Sequence, residues 1–224
     1  MSETHEVANQ VPAREGVDEY EDPRITRSRA LIMSAAARVF LERGYPGTSV
    51  DDIAAEAGVS KRTVYNVFDD KEQLFRAIIG DAIATAERFS SELVATTAES
   101  ADAATVLTAL ARELAASVFG GRVVPLRRLL IGEAGRFPEF ALEYYDRAPG
   151  RVMTSLAEAL RAFDDRGQLR IDDPESAAEH FAFLAIGASL DRALFDARTD
   201  AAGAAAAVER AERGVAVFLR AYAA

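Results

Sequence analysis

The stretch GVSKRTVYNVFDDKEQLF, residues 58–75, gathers hydrogen-bond donors of the kinds that read nucleobases. Arg62 is suited to guanine O6 and N7, Asn66 to adenine N6 and N7, and Thr63 to a thymine methyl or a phosphate. Spaced at about 100° per residue, Val64, Val67 and Phe68 share one side of a helix. Arg62 and Asn66 then point away from that side, with Thr63 and Tyr65 on the flanks and Lys61 at the edge. Ser60 is a good cap for the start of this helix. Tyr65, Lys71 and the capped helix N-termini suit phosphates, which fix register without reading sequence. Alone, SKRTVYN would be an ordinary solvated basic surface, so the chemistry depends on what positions it.

The positioning elements lie just upstream. Ile32, Ala35, Ala36, Val39 and Phe40 recur with helical period as one buried stripe, ending near Gly44 with Pro46 and Gly47 enforcing a turn. Thr48 or Ser49 caps a second helix, with Asp51 or Asp52 three residues on as in a capping box. Two short helices meeting steeply need a small residue at their contact and a left-handed residue between them, and Ala54 and Gly58 supply these. Ile53, Val59, Val64 and Val67 fill the remaining contact points. The third helix runs from Ser60 to about Phe68, and Asp69 or Asp70 caps a fourth that persists into the nineties. Arg24, Arg27 and Arg29 stand where a basic arm reaches an adjacent backbone or minor groove.

Charge agrees with this once it is divided along the chain. The net charge of −10 looks wrong for a nucleic-acid partner. Residues 1–23 hold seven acids and one arginine, 24–76 nine bases and seven acids, and 77–224 sixteen bases and twenty-two acids. Only the middle segment is positive, and phosphate attraction follows the local field. The acidic residues 1–23 lack an apolar period and read as a disordered tail that competes with phosphate, or as a plain solvated spacer. The absence of cysteine excludes disulfides and thiolate metal sites and fits a reducing cytosol. No apolar run reaches the ~18 residues of a membrane helix, so a soluble, cytoplasmic chain with no membrane partner is expected.

Beyond residue 77 the signal stays helical, with helices expected over 103–119, 125–137, 138–145, 151–163, 174–195 and 201–221. The fold class is therefore all-α: a three-helix helix-turn-helix DNA-binding domain over 24–76 and a larger helical domain over 77–224. Among the aromatics of the second domain, Phe119, Phe137, Tyr144 and Phe183 are candidates to line an apolar small-molecule pocket, with Glu133 and His180 as polar anchors. Phe140, Tyr145, Phe163, Phe181 and Arg136 are weaker candidates, since aromatics at helical spacing are usually core. A lone histidine makes no metal site, and Asp164-Asp165 before Gly167 reads as a helix end. No phosphate-binding glycine loop, nucleophile elbow or zinc motif occurs, so no cofactor, metal or catalytic residue is expected.

Residues 26–75, TRSRALIMSAAARVFLERGYPGTSVDDIAAEAGVSKRTVYNVFDDKEQLF, resemble the DNA-binding domain of the TetR family of transcriptional regulators. The likeness rests on Phe40, Gly44-Tyr45, Thr48, Ile53-Ala54, Ala57-Gly58-Val59-Ser60, Tyr65, Phe68, Lys71 and Leu74. It implies that Lys61, Arg62 and Thr63 face bases while Thr48, Tyr65 and Lys71 hold phosphates. One departure is Val67, where many members carry histidine. PLRRLLIGEAGRFPEFALEYYDRAPGRVMTSLAEALRAFDDRGQLRIDDPESAAEHFAFLAIGASLDRALF, further on, resembles the C-terminal domain of AefR-like members. That implies a homodimer through C-terminal helices and an unidentified small-molecule effector. Phe181, Leu184, Ala185, Ala188 and Leu190, with small Gly187 and Ser189, suit close approach of a partner helix, as do Val208, Val215, Val217, Phe218 and Tyr222. The expected function is a ligand-responsive transcriptional regulator, a repressor that binds a palindromic double-stranded operator as a dimer and is released by a small-molecule effector. A constitutive DNA-binding protein without effector, or an all-helical small-molecule-binding protein or enzyme, stays open at this point.

Overall fold

The structure, a computed structural model, describes residues 23–99, 102–196 and 201–224. Apart from Pro23, the expected acidic tail lies outside the described residues. Eleven α-helices follow one another among the described residues, and the only pairing of extended chain there is a single bridge between Leu169 and Ala223. None of these helices is by itself long and apolar enough to cross a membrane.

Helices α1 (Pro23–Arg43), α2 (Val50–Ala57) and α3 (Lys61–Tyr65) form the head, and α4 (Lys71–Glu99) leads out of it. The caps select among the alternatives that the residues allowed. Ser49 caps α2: its hydroxyl accepts from the Asp52 N–H at 3.1 Å, and the Asp52 carboxylate accepts from the Ser49 N–H at 3.0 Å. Asp70 caps α4 by accepting from the Gln73 N–H at 2.7 Å, while Asp69 and Gln73 bond to each other reciprocally. The third helix is shorter than expected because its last turn tightens at Val67 and Phe68 into the capping sequence of α4.

The remaining elements are α5 (Ala103–Phe119), α6 (Val123–Glu133), α7 (Pro138–Tyr145), α8 (Arg151–Asp165), α9 (Pro174–Ala182), α10 (Ala188–Phe195) and α11 (Ala201–Tyr222). A wide π-type turn, Asp146–Gly150, carries α7 into α8, and a second, Phe183–Gly187, carries α9 into α10. Helix α6 stops at Glu133, short of the expected 137, because Pro138 holds Phe137 out of the helical region at φ −128°. The expected helix over 174–195 bulges at residues 183–187, where α11 lies against it. A Cβ on Gly214 would stand 2.1 Å from the Leu184 carbonyl oxygen, so the approach requires glycine.

Two apolar clusters organise the molecule, and they do not divide at residue 76. One belongs to α5, α8, α9 and α11 around Leu107, Leu160, Phe163, Phe181 and Phe218. The other joins the head to α6 and α7: Phe40, Phe68, Leu74 and Phe75 pack with Leu126, Leu130, Phe137 and Phe140. Its centre is a chain of rings, with Phe40 stacked on Tyr45 at 5.7 Å, Phe137 edge-on to Tyr45 at 4.8 Å, and Phe75 6.1 Å from Phe140. The expected boundary falls inside α4, which enters this cluster through Leu74, Phe75 and Ile78 and reaches the other through Leu93. Truncating Phe75, which is fully buried, removes a ring that touches four others. Phe75→Ala is expected to lower unfolding free energy by about 3–5 kcal/mol in urea titrations at fixed protein concentration, with the head and the body losing structure together.

Candidate functional site

The recognition surface is built from the turn outward. Gly58 ends α2 at φ 67°, ψ 30°, and its N–H together with that of Val59 returns to the carbonyls of Ala55 and Ala54. This left-handed cap turns the chain sharply at little cost only because the residue lacks a Cβ. Ser60 then caps α3, accepting from the Thr63 N–H at 3.0 Å, with the two hydroxyls 2.8 Å apart. Val64 and Phe68 are buried and Val67 half-buried beneath the helix. Lys61, Arg62, Tyr65 and Asn66 are exposed above it, and Thr63 is half-buried at the flank. The Arg62 side chain forms no hydrogen bond or ion pair among the described residues, which leaves its planar fork of donors for an external acceptor. Lys61 sits 2.9 Å from Asp51, and that hydrogen bond, with the charge behind it, raises the Lys61 pKa.

Three expected contact residues are placed differently. Thr48 is buried, and its hydroxyl donates to the Gly44 carbonyl at 2.7 Å, so its side chain forms the turn before α2 and is withdrawn from a phosphate-binding role. Lys71 is half-buried and donates to the carbonyls of Tyr45 and Thr48, each at 2.9 Å, with its ammonium 4.2 Å from the Tyr45 ring centre. Desolvation, and then the nearby Arg136 charge, lower its pKa, with Glu133 opposing. It is first a clamp on the turn, with one N–H left for a phosphate. Arg27 lies within α1 and not on an extended arm; it is exposed there, while Arg29 covers the Phe68 ring at 4.7 Å.

Behind the head, helices α4 to α10, with the two π-type turns, line a cavity of about 620 Å3. Tyr144, Tyr145, Phe89, Met153 and Phe183 are among its mostly apolar lining. Of the six expected effector contacts, Tyr144 and Phe183 reach this wall and four do not. Phe119 is buried in the core of the body. His180 faces α11, its Nδ1 2.6 Å from the Tyr222 hydroxyl. Phe137 packs on Tyr45, with the Arg136 guanidinium over both rings at 5.2 and 4.9 Å. Glu133 acts on the same junction, pulling the Lys71 pKa up against the dominant desolvation and also raising that of Tyr45. Spacing along the chain could not separate cavity wall from head-to-body joint, because both take buried aromatics from the start and body of α7. Several lining residues were missed, among them Phe89, Met153 and Arg127, the last a charge inside the largely apolar run VVPLRRLLIGE. Among the described residues no three His, Cys, Asp or Glu side chains cluster as metal ligands.

Comparison with known proteins gives this arrangement its context. The family model for bacterial regulatory proteins of the tetR family matches residues 32–78, and that for the AefR-like transcriptional repressor C-terminal domain matches 105–224. The transcriptional repressor BepR of Brucella suis biovar 1 (strain 1330) is 44% identical over 55 residues, 25% of this chain. In that alignment the chain spans only about a quarter of BepR (26%). A crystal structure from Mesorhizobium loti MAFF303099, assigned to the TetR family, superposes with TM-score 0.76 at 30% identity, covering 91% of this chain and 100% of the other. The flavonoid-responsive regulator FrrA superposes with TM-score 0.62, also at 30% identity, over 88% and 98% of the two chains. With the second family model covering more than half of its length, the chain belongs to the TetR family of DNA-binding transcriptional regulators, and its C-terminal domain is of the AefR-like kind.

Proposed function

We propose that the protein is a ligand-responsive repressor, which holds an inverted-repeat operator as a homodimer and releases it when a small molecule fills the cavity. The observation that carries this reading is the course of α4. Its first turns are locked into the head by Leu74 and Phe75, and its later turns carry Ala82, Thr85, Ala86 and Phe89 to the cavity wall. One rigid element thus belongs to the nucleic-acid interface and to the cavity. A ligand that favours one setting of α4 biases the placement of α3, and a differential affinity of about 1–3 kcal/mol between the two settings makes a working switch. Repression is supported by the description of the matching C-terminal family and by BepR. Response to a small molecule is what FrrA is named for.

Base contacts are assigned to Lys61, Arg62, Thr63 and Asn66, and backbone contacts to Ser60 at the mouth of α3, Tyr65, Arg27 and the remaining N–H of Lys71. A five-residue helix buries little in a groove, so affinity requires two heads held at a fixed spacing. The dimer face fits the apolar side chains left outside near the end of the fold: Leu184 and Val217, each 43% exposed, and Phe195 at 88%. Phe181, Val215 and Phe218, expected to share that seam, are buried within the chain itself, so the seam is built from fewer and outer residues.

Selection from random duplexes is expected to return an inverted repeat whose half-sites are separated by whole helical turns, and recovery of asymmetric single sites alone would overturn the dimeric reading. Arg62→Ala is expected to weaken operator binding by about 1–3 kcal/mol and to relax one position of each half-site. Lys71→Met should instead weaken all sequences alike and also lower the thermal stability of the head, since it leaves two carbonyls unbonded; a change confined to one operator position would contradict the clamp. Spin labels at position 72 of each head should report a change of separation when an inducing ligand binds. An unchanged separation accompanied by lost operator affinity would remove α4 as the transmitting element.

A further inference from the structure

We infer that the effector is a monoanion, a carboxylic acid on an apolar skeleton, held through its carboxylate by Arg127. This rests on the cavity being the effector site, and it names the ligand chemistry. Arg127 projects from α6 into a space otherwise lined largely by apolar groups such as Leu114, Val118 and Met153. Its Nε is fully buried and has no hydrogen-bond partner, and no ion pair among the described residues holds the guanidinium. A charge kept half out of water without a partner is costly to the folded chain, and an acceptor-only, planar, singly charged group relieves that cost best. A carboxylate can take two parallel N–H bonds from such a fork. A phosphate dianion would leave a surplus charge among apolar walls, and a neutral acceptor could bond the Nε but would leave the guanidinium charge uncompensated.

The acids of the cavity do not reverse this. Glu175 is already paired with Arg161 at 3.1 Å, and Glu158 and Glu179 are exposed at the rim on α8 and α9, where water serves their charge. A cation at those carboxylates would remain hydrated and gain little, whereas an anion at Arg127 is desolvated and gains most. The same arginine stands on the helix whose far end, Glu133, influences Tyr45 and Lys71 in the head. Neutralising Arg127 therefore acts on an element that also touches the recognition unit.

Matched compounds on one skeleton test this: fatty and arylpropanoic acids of graded length, their methyl esters and the corresponding primary amines. Each is titrated calorimetrically into the full-length protein, and operator release is followed in parallel by fluorescence anisotropy. The acids are expected to bind at least about 30-fold more tightly than the esters and amines. Arg127→Met should abolish that preference, and Arg127→Lys should keep part of it. If Arg127→Met fails to fold by circular dichroism, the comparison of Arg127→Lys with the native protein decides. Esters or amines that match the acids, or a preference for acids that survives in Arg127→Met, overturn the inference. If esters or amines bind and release the operator, the effector reading stands and only the anion falls; if no compound of any charge binds, both fall.

Discussion

The arrangement depends on one joint, the packing of Tyr45 between the head and α7. Tyr45 lies in the turn between α1 and α2, buried against Phe40, Phe75 and Phe137, with Lys71 and Arg136 over its ring. Burial raises its pKa, against the nearby Arg136 charge, which lowers it. The contacts fix the turn before α2, and α2 in turn fixes α3. Ring packing of this kind is stiff, because close-packed interiors transmit displacement instead of absorbing it. The head is therefore coupled to the body through a surface and not merely tethered to it by a linker.

Two elements leave that joint for the cavity. Helix α4 passes from Phe75 to Phe89, and α7 passes from Phe140 to Tyr144 and Tyr145 before its wide turn. Helix α6 contributes Arg127 to the cavity and Leu130 to the joint. A ligand in that cavity would meet three helices whose other ends are set in the core beneath α3. Such geometry allows a small rearrangement of the cavity wall to move α3, provided the ligand distinguishes the two arrangements in free energy.

The recognition unit achieves order with few residues. Helix α3 has five residues and would not persist alone in water. It is held by the Ser60 cap, by the left-handed Gly58 before it and by Val64 and Phe68 beneath it. That economy leaves its upper face free for donors. Lys71 and Thr48 serve the same end, since their polar groups are spent on backbone carbonyls that a tight turn leaves unbonded.

The sequence alone determined whatever local rules control. Helical period, Ser60 as a cap, and the Ala54–Gly58 frame gave the all-α class and the exposed basic face of α3. They also gave several helix bounds, such as Ala103–Phe119 and Pro138–Tyr145, because each depends on residues within about one turn of one another. Tertiary structure alone decided which buried aromatics face the cavity and which close the joint. Phe137 and Tyr144 are aromatics seven residues apart in one buried cluster, and only packing against distant elements decides that Tyr144 also reaches the cavity while Phe137 closes on Tyr45 and Phe75. It likewise decided that Lys71 clamps a turn twenty-six residues away and that Arg127, not Arg128, lines the cavity. Those outcomes come from long-range contacts, which no periodicity encodes: a helix pattern says which side is buried, never what it is buried against.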